Sequence, residues 1–442
     1  RGAIMLLEFK FKNFKTFQKE TLFSMTPANK IKDIEYSVLK TKIGKKEYKV
    51  LSSAVIYGPN ASGKTNIISA LEVFKSIILK GNIKNGDYAF TSPNEAVKKL
   101  ELIPNLSLDK PQPVEFEIKF ITGGIVYQYG IQIDLGTFLD SNYNRKILSE
   151  TLLVNEKMIF KRDSSLKIGD INVISDMLIA AFDKNASENM AQNNLNDEEL
   201  FLTGLFKSLY SSQIVNSITE WFKNKCKVFL RANLMTIEPH IEKAEKNQAF
   251  IDKTLNQAIK LFGIHGNNIA YVKSNDNNEM SPYSILSNGK AIPVEIFESY
   301  GTERFLNIFP IIIETLQTGA TLIVDEFDAS LHPMALMSIV GAFHNDEINK
   351  KGAQLIFNTH NPIFLNKNIF RRDEIKFVDR DDNTGISNHY SLSDFGTSGP
   401  NAVRNTEDYM KNYFINRYGS IRNIDFSDIL EERMESVTNE ES

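Results

Sequence analysis

Gly58-Pro59-Asn60-Ala61-Ser62-Gly63-Lys64-Thr65 fits the pattern G-x-x-x-x-G-K-[ST], and its neighbours supply the context that gives the pattern meaning. The apolar run Ala54-Val55-Ile56-Tyr57 precedes it and the helix-compatible Asn66-Ile67-Ile68-Ser69-Ala70-Leu71 follows, so strand, loop and helix come in the required order. Successive backbone N–H groups of such a loop converge at a helix N-terminus into an anion cradle, and a Cβ at its glycines would hold the backbone off the anion. The expectation is a nucleoside triphosphate site built from Gly58 to Asn66, with Lys64 reaching the β- and γ-phosphates and the Thr65 hydroxyl ligating Mg²⁺.

A second apolar run, Thr321-Leu322-Ile323-Val324, ends abruptly in Asp325 and Glu326, as the central strand of a parallel sheet would. Downstream of a phosphate loop, this places Asp325 as a second Mg²⁺ ligand and Glu326 as the general base for the attacking water. A third run, Gln354-Leu355-Ile356-Phe357-Asn358-Thr359, leads to His360 at a strand's C-terminal end, where parallel sheets present functional groups. His360 reads as a sensor of the γ-phosphate.

The order of phosphate loop, long intervening region, Ile-Val-Asp-Glu, Ser330-Leu331-His332-Pro333 and the Thr-His strand resembles the ABC-type ATPase heads. Their soluble members include the SMC and RecF proteins and the OLD and abortive-infection ATPases. The resemblance implies an α/β fold: an ABC-ATPase head with a mainly parallel RecA-like core sheet, an antiparallel β lobe and a helical insertion. It also implies a signature segment, which Glu298-Ser299-Tyr300-Gly301-Thr302-Glu303-Arg304 supplies, Ser299 and Gly301 contacting the nucleotide held by an opposite copy. The segment departs from the transporter-type Leu-Ser-Gly-Gly-Gln. ATP would then be hydrolysed only when two copies sandwich it, with Ser330, Leu331 and His332 crossing the dimer interface; the transporter branch has Asp where His332 stands. Gln112 and Gln128 both remain open as the glutamine that links Mg²⁺ to the variable lobe.

Leu6 to Phe17 alternates apolar and polar residues and is expected as an edge strand of the lobe that stacks on adenine, Asn13-Phe14-Lys15 resembling the opening strand of RecF and SMC heads. Met5 is read as the start, with Arg1–Ile4 set aside as a remnant. The pair Val114–Phe120 and Ile125–Ile133 around Gly123-Gly124 reads as a hairpin, and Ile147–Leu153 with Lys157–Phe160 as another strand pair. Lys40–Lys49 reads as an exposed hairpin in preference to a nucleic-acid patch. From about Asp176 to Lys260 the pattern is helix-like and Asn-rich, without a sustained heptad, so a compact helical insertion replaces long coiled-coil arms. The expected divisions are 5–165 for the first ATPase lobe, 166–285 for the insertion, 286–425 for the second lobe and 426–442 for a disordered acidic tail. In the second lobe, 373–381 reads as a strand, and Tyr409–Tyr418 as a helix capped by Gly419.

A net charge of −4 disfavours a DNA-coating role and restricts nucleic-acid contact to a local patch. One cysteine, Cys226, excludes an intrachain disulfide and suits a reducing cytosol; it also excludes a Cys-x-x-Cys zinc hook. No run is apolar enough to cross a bilayer, so no membrane partner is expected. The C-terminal region and Glu298–Thr302 resemble the small standalone ATPases of the abortive-infection group in prokaryotic defence loci. No Toprim-type carboxylate cluster has room to follow, so the implied partners are further copies of the chain, in a dimer or higher homo-oligomer, and a separately encoded effector such as a nuclease. The alternative is a RecF-like repair ATPase that clamps duplex DNA.

Overall fold

The computed structural model describes residues 3–28, 34–84, 102–110, 112–136, 145–230, 249–261, 267–273, 280–396, 402–404, 406–422, 425–431 and 433. The three apolar runs of the sequence are neighbouring strands of one six-stranded sheet, in the spatial order Cys226–Phe229, Thr321–Val324, Gln354–Asn358, Ser53–Tyr57, Ile375–Arg380 and Ser387–Ser391. The first five are parallel and the last is antiparallel. Both faces are covered, as a sheet with nearly unbroken apolar runs requires. Ile56, Ile323, Ile356 and Val378 face one core, while Val55, Tyr57, Leu322, Val324, Leu355 and Phe357 face the other.

On the first face lie the helix Lys64–Lys80 and a seven-stranded antiparallel sheet ordered Leu166–Ile168, Lys157–Arg162, Lys146–Val154, Ile125–Asp134, Val114–Thr122, Met5–Lys12 and Thr21–Ser24. Thr122 pairs with Ile125 across the expected Gly123-Gly124 turn, and Lys157 with Val154 across Asn155-Glu156, all four turn residues taking positive φ. The lysine-rich hairpin is also present, Val38–Ile43 pairing with Lys46–Leu51.

The first strand departs from its expectation. Met5–Lys12 is flanked on both sides, so it is not an edge, and it stops five residues short of Phe17. Asn13 and Lys15 turn left-handed (φ 54° and 48°), which folds Phe14 and Phe17 onto Phe11 as edge-on ring contacts and buries both completely.

The region read as a helical insertion is helical only in part. Helices Lys184–Asn193 and Ser212–Glu220 and the π-helical turns Leu202–Phe206 and Trp221–Lys225 pack on the antiparallel sheet, with Trp221 stacked on Phe120 at 4.2 Å and Phe201 edge-on to Phe160 at 4.8 Å. The chain then returns to the core sheet as Cys226–Phe229. Beyond it, Ala249–Phe250, Asn268–Lys273, Met280–Ile285 and Ala291–Pro293 form a four-stranded antiparallel sheet packed beside the helix Lys253–Leu261, where helix had been expected to about residue 260. Within the region expected to be helix-like, residues 231–248 lie outside the described residues.

The C-terminal helix is likewise shorter, Tyr409–Phe414. Left-handed Asn416 turns the chain so that both Tyr413 and Tyr418 reach Phe377, at 6.2 and 5.3 Å between ring centres, which a continuous helix could not arrange. Of the expected tail, 427–431 is helical, and 434–442 lies outside the described residues.

Candidate nucleotide site

The site stands at the C-terminal ends of the three central strands. Ser53–Tyr57 runs into the loop, and Lys64–Lys80 starts behind Gly63, whose φ of 113° caps the helix. Gly58 lies against the Val378 carbonyl so closely that a Cβ would collide with it. The loop is braced from the antiparallel lobe and from the edge strand of the core sheet: Asn66 Nδ2 donates to Thr16 Oγ1 at 2.9 Å, Ser387 N–H donates to the Thr16 carbonyl at 2.8 Å, and Ser387 Oγ donates to the Ser62 carbonyl at 2.5 Å. Pro59 and Asn60 form the loop's tip, and Ala61 is left-handed with φ 60°.

Lys64 is 6% exposed and donates to the carbonyls of Gly58 at 2.8 Å and Pro59 at 2.9 Å. Burial holds its pKa down at about 8 against the opposing charges of Asp325, Glu326 and Asp328. Thr65 Oγ1 donates to Asp325 Oδ1 at 2.9 Å, joining residues 260 positions apart. Asp325 is buried and also accepts from Asn358 Nδ2, while Asn358 Oδ1 accepts from the Glu326 N–H. Glu326 itself is left-handed (φ 52°), its carbonyl accepts from Arg304 Nη2 at 2.6 Å, and its side chain is exposed.

His360 sits exposed two residues beyond Asn358, next to buried Thr359. Desolvation and the Lys64 charge lower its pKa from 6.5, outweighing Asp328, Glu326 and Asp325, so the ring is neutral at pH 7. Ser299 caps the helix Tyr300–Thr318 by accepting from the Thr302 N–H at 3.2 Å, and its own side chain is exposed. Gly301 lies against the Ser330 carbonyl. Thus Thr65, Asp325, Glu326 and Lys64 share one site, and Ser299 with Gly301 stands on the helix that Arg304 ties to it. Gln112 Nε2 donates to the Lys110 carbonyl at 3.4 Å, and Gln128 lies mid-strand opposite Lys119 and Leu153.

The residues fit magnesium and a triphosphate. An ammonium is parked on loop carbonyls that phosphate oxygens can replace, a hydroxyl and a buried carboxylate are already paired for a hard cation, and the buried Ser62 Oγ has no hydrogen-bond partner inside the loop.

The family described as "AAA domain, putative AbiEii toxin, Type IV TA system" matches residues 53–366, well over half of the chain. The chain belongs to this family. With the phosphate loop, the strand Thr321–Val324 and the strand Gln354–Asn358 adjacent in one parallel sheet and an antiparallel lobe beside it, this AAA-family chain has the fold of an ABC-type ATPase head. Similar solved structures include an SMC head bound to the C-winged helix domain of ScpA, with 13% identity and TM-score 0.41, covering 87% of this chain and 97% of that one. The SMC head domain from Thermotoga maritima has 14% identity and TM-score 0.35, covering 87% and 98%. An SMC head from Pyrococcus furiosus bound to the C-terminal domain of ScpA has 13% identity and TM-score 0.41, covering 88% and 96%. No curated protein sequence matches the chain.

Sequence reasoning missed Asn358, Arg304, Thr16 and Ser387 as parts of this site. Asn358 carried a signal, a polar residue closing an apolar strand two positions before His360. The other three reach the site only through the fold.

Proposed function

We propose that this AAA-family chain is an Mg²⁺-dependent ATPase that works as a head-to-head dimer and controls a separately encoded effector, a nuclease being one such, in prokaryotic anti-phage defence. The observation that carries the ATPase reading is the Thr65–Asp325 pair beneath the phosphate loop, beside a glutamate whose backbone is fixed and whose carboxylate is free to solvent. The family match, whose description names a toxin–antitoxin system, supports the defence setting.

Lys64 exchanges its two carbonyl partners for phosphate oxygens and neutralises their charge. Thr65 and Asp325 would hold Mg²⁺, which would supply neutralisation of phosphate charge. Glu326 takes a proton from the attacking water, and neutral His360 donates a hydrogen bond toward the terminal phosphate. Ser299 and Gly301 approach the nucleotide of the opposite copy with the N-terminus of their helix.

The test is a pair of variants in a nucleotide-binding and turnover assay. Lys64→Ala loses nucleotide binding, whereas Glu326→Gln binds ATP, stops turning over and accumulates as a dimer by mass. Wild-type hydrolysis by Glu326→Gln would sink the general-base role. For the partner, purification with the adjacent gene's product should give a joint assembly; a lone protein whose ATPase rises with duplex DNA supports the repair clamp instead.

A further inference from the structure

The ladder between Thr321–Val324 and Gln354–Asn358 ends at the pair Val324 and Phe357, but the second strand runs one residue further, still paired with Ser53–Tyr57 through Asn358 and Ile56. Asp325 and Glu326 stand just past that end, where the backbone turns left-handed at Glu326 (φ 52°). An L-residue keeps such a conformation only where its surroundings impose it. Asn358 supplies the hold that the ladder no longer gives. It is 1% exposed, and both ends of its amide are used: Nδ2 donates to Asp325 Oδ1, and Oδ1 accepts from the Glu326 N–H. Its main-chain carbonyl accepts from the next amide, Phe327 N–H, at 3.3 Å. Asp325 Oδ1 also receives Thr65 Oγ1 at 2.9 Å, so this oxygen is fixed from the phosphate-loop helix and from Asn358 together.

We propose that Asn358 is a positioning residue for both acids: it sets the Asp325 carboxylate for Mg²⁺ and holds the turn from which Glu326 reaches the attacking water. This rests on the ATPase reading above. The task calls for an amide, because only Asn and Gln carry a donor and an acceptor on one rigid plane. The partners also settle which way the plane faces, since a carboxylate can accept only from the NH₂ end and an N–H can donate only to the oxygen. Gln would bring an extra methylene into a fully packed site, and Asp would set a second carboxylate against Asp325. A serine hydroxyl is one atom shorter and cannot span both partners. Mg²⁺ demands near-ideal octahedral geometry, whereas Ca²⁺ accepts varied ligand positions. A residue that aims a carboxylate therefore matters more for Mg²⁺ than for Ca²⁺, and a residue that only supports the fold does not distinguish them.

The experiment compares wild type, Asn358→Ala, Asn358→Ser and Lys64→Ala by equilibrium binding of a fluorescent ATP analogue in EDTA, by Mg²⁺ and Ca²⁺ titrations of that binding, and by hydrolysis at saturating Mg²⁺. Asn358→Ala should bind the analogue in EDTA as wild type does but need about 10- to 100-fold more Mg²⁺ to tighten it, the range for losing a residue that orients a metal ligand. The increase in Ca²⁺ needed should be smaller. Its kcat should also fall, because added metal cannot restore the Glu326 turn. Asn358→Ser, which leaves room for a water in place of the amide nitrogen, should shift in the same direction and carries the test where Asn358→Ala does not fold. Wild-type Mg²⁺ demand and kcat in the variants overturn the positioning role alone, and a Mg²⁺ shift with full kcat at saturation removes its Glu326 half. Equal shifts for both ions, with binding in EDTA lost as well, reduce Asn358 to a support of the fold and overturn the proposal. A wild type that hydrolyses no ATP, and binds the analogue no better than Lys64→Ala does, overturns the ATPase reading itself.

Discussion

Lys64 holds a charge in a place that disfavours it, and this gives the site a pH signature. Its pKa is held near 8 by burial, whereas phosphates drawn to the loop favour the ammonium form. Below pH 8 the free protein already carries the proton; above it, binding must take one up. ATP affinity should therefore be flat from pH 6.5 to 7.5 and weaken above pH 8, by at most about tenfold per pH unit. Titrations of a fluorescent analogue at pH 7, 8 and 9 check this, and an affinity unchanged at pH 9 would mean that Lys64 does not meet the phosphates. Lys64, Thr65 and Asp325 were legible because each lies inside a local pattern whose chemistry is fixed by spacing. Arg304 was not, since its partner is a backbone carbonyl 22 residues on that has no signature in any side chain. Thr16 and Ser387 join the loop only after an antiparallel lobe and an edge strand have folded against it.

The hairpins of the antiparallel lobe could be read because two-residue turns and period-two alternation are local properties. The strand Cys226–Phe229 could not: Cys-Lys-Val-Phe carries no turn signal, and its extended form comes from parallel pairing with Thr321–Val324. Its Lys227 leaves the sheet to meet Glu314 at 2.6 Å on the helix Tyr300–Thr318. The helical block before that strand is fastened to the lobe by Glu150, a fully buried carboxylate. It accepts from the N–H groups of Phe201 at 2.7 Å and Leu202 at 2.8 Å and from the Tyr129 hydroxyl at 2.9 Å, with Arg162 Nη1 at 3.7 Å. Glu150→Ala would leave two N–H groups and the Tyr129 hydroxyl short of an acceptor in the core and take away the charge opposite Arg162. The expected loss is about 3–5 kcal/mol of folding stability, the range for breaking a buried ion pair. Thermal unfolding should show it, and a melting temperature within 2 °C of wild type (about the shift of a sub-kcal/mol change) would mean that the block is held by its aromatic contacts alone.

Across the whole molecule, a net charge of −4 leaves no general attraction for nucleic acid. On the outer face of the antiparallel sheet, Lys10 meets Glu117 at 2.7 Å and Lys12 meets Glu115 at 3.1 Å, which cancels two cations that a DNA clamp would need. Binding to plain duplex DNA should therefore be weak at physiological salt and change little with salt; a steep salt dependence would favour the repair-clamp reading. Among the described residues no helix is long and apolar enough to cross a membrane. The strand Cys226–Phe229 also decides how motion in this protein can be watched. Cys226 supplies the chain's one thiol, is fully buried, and is pushed by burial to a pKa of about 12, so it holds almost no thiolate at neutral pH. A maleimide dye will pass it by, and a cysteine introduced at exposed Tyr300 would take the label alone, turning the start of the helix Tyr300–Thr318 into a fluorescent reporter.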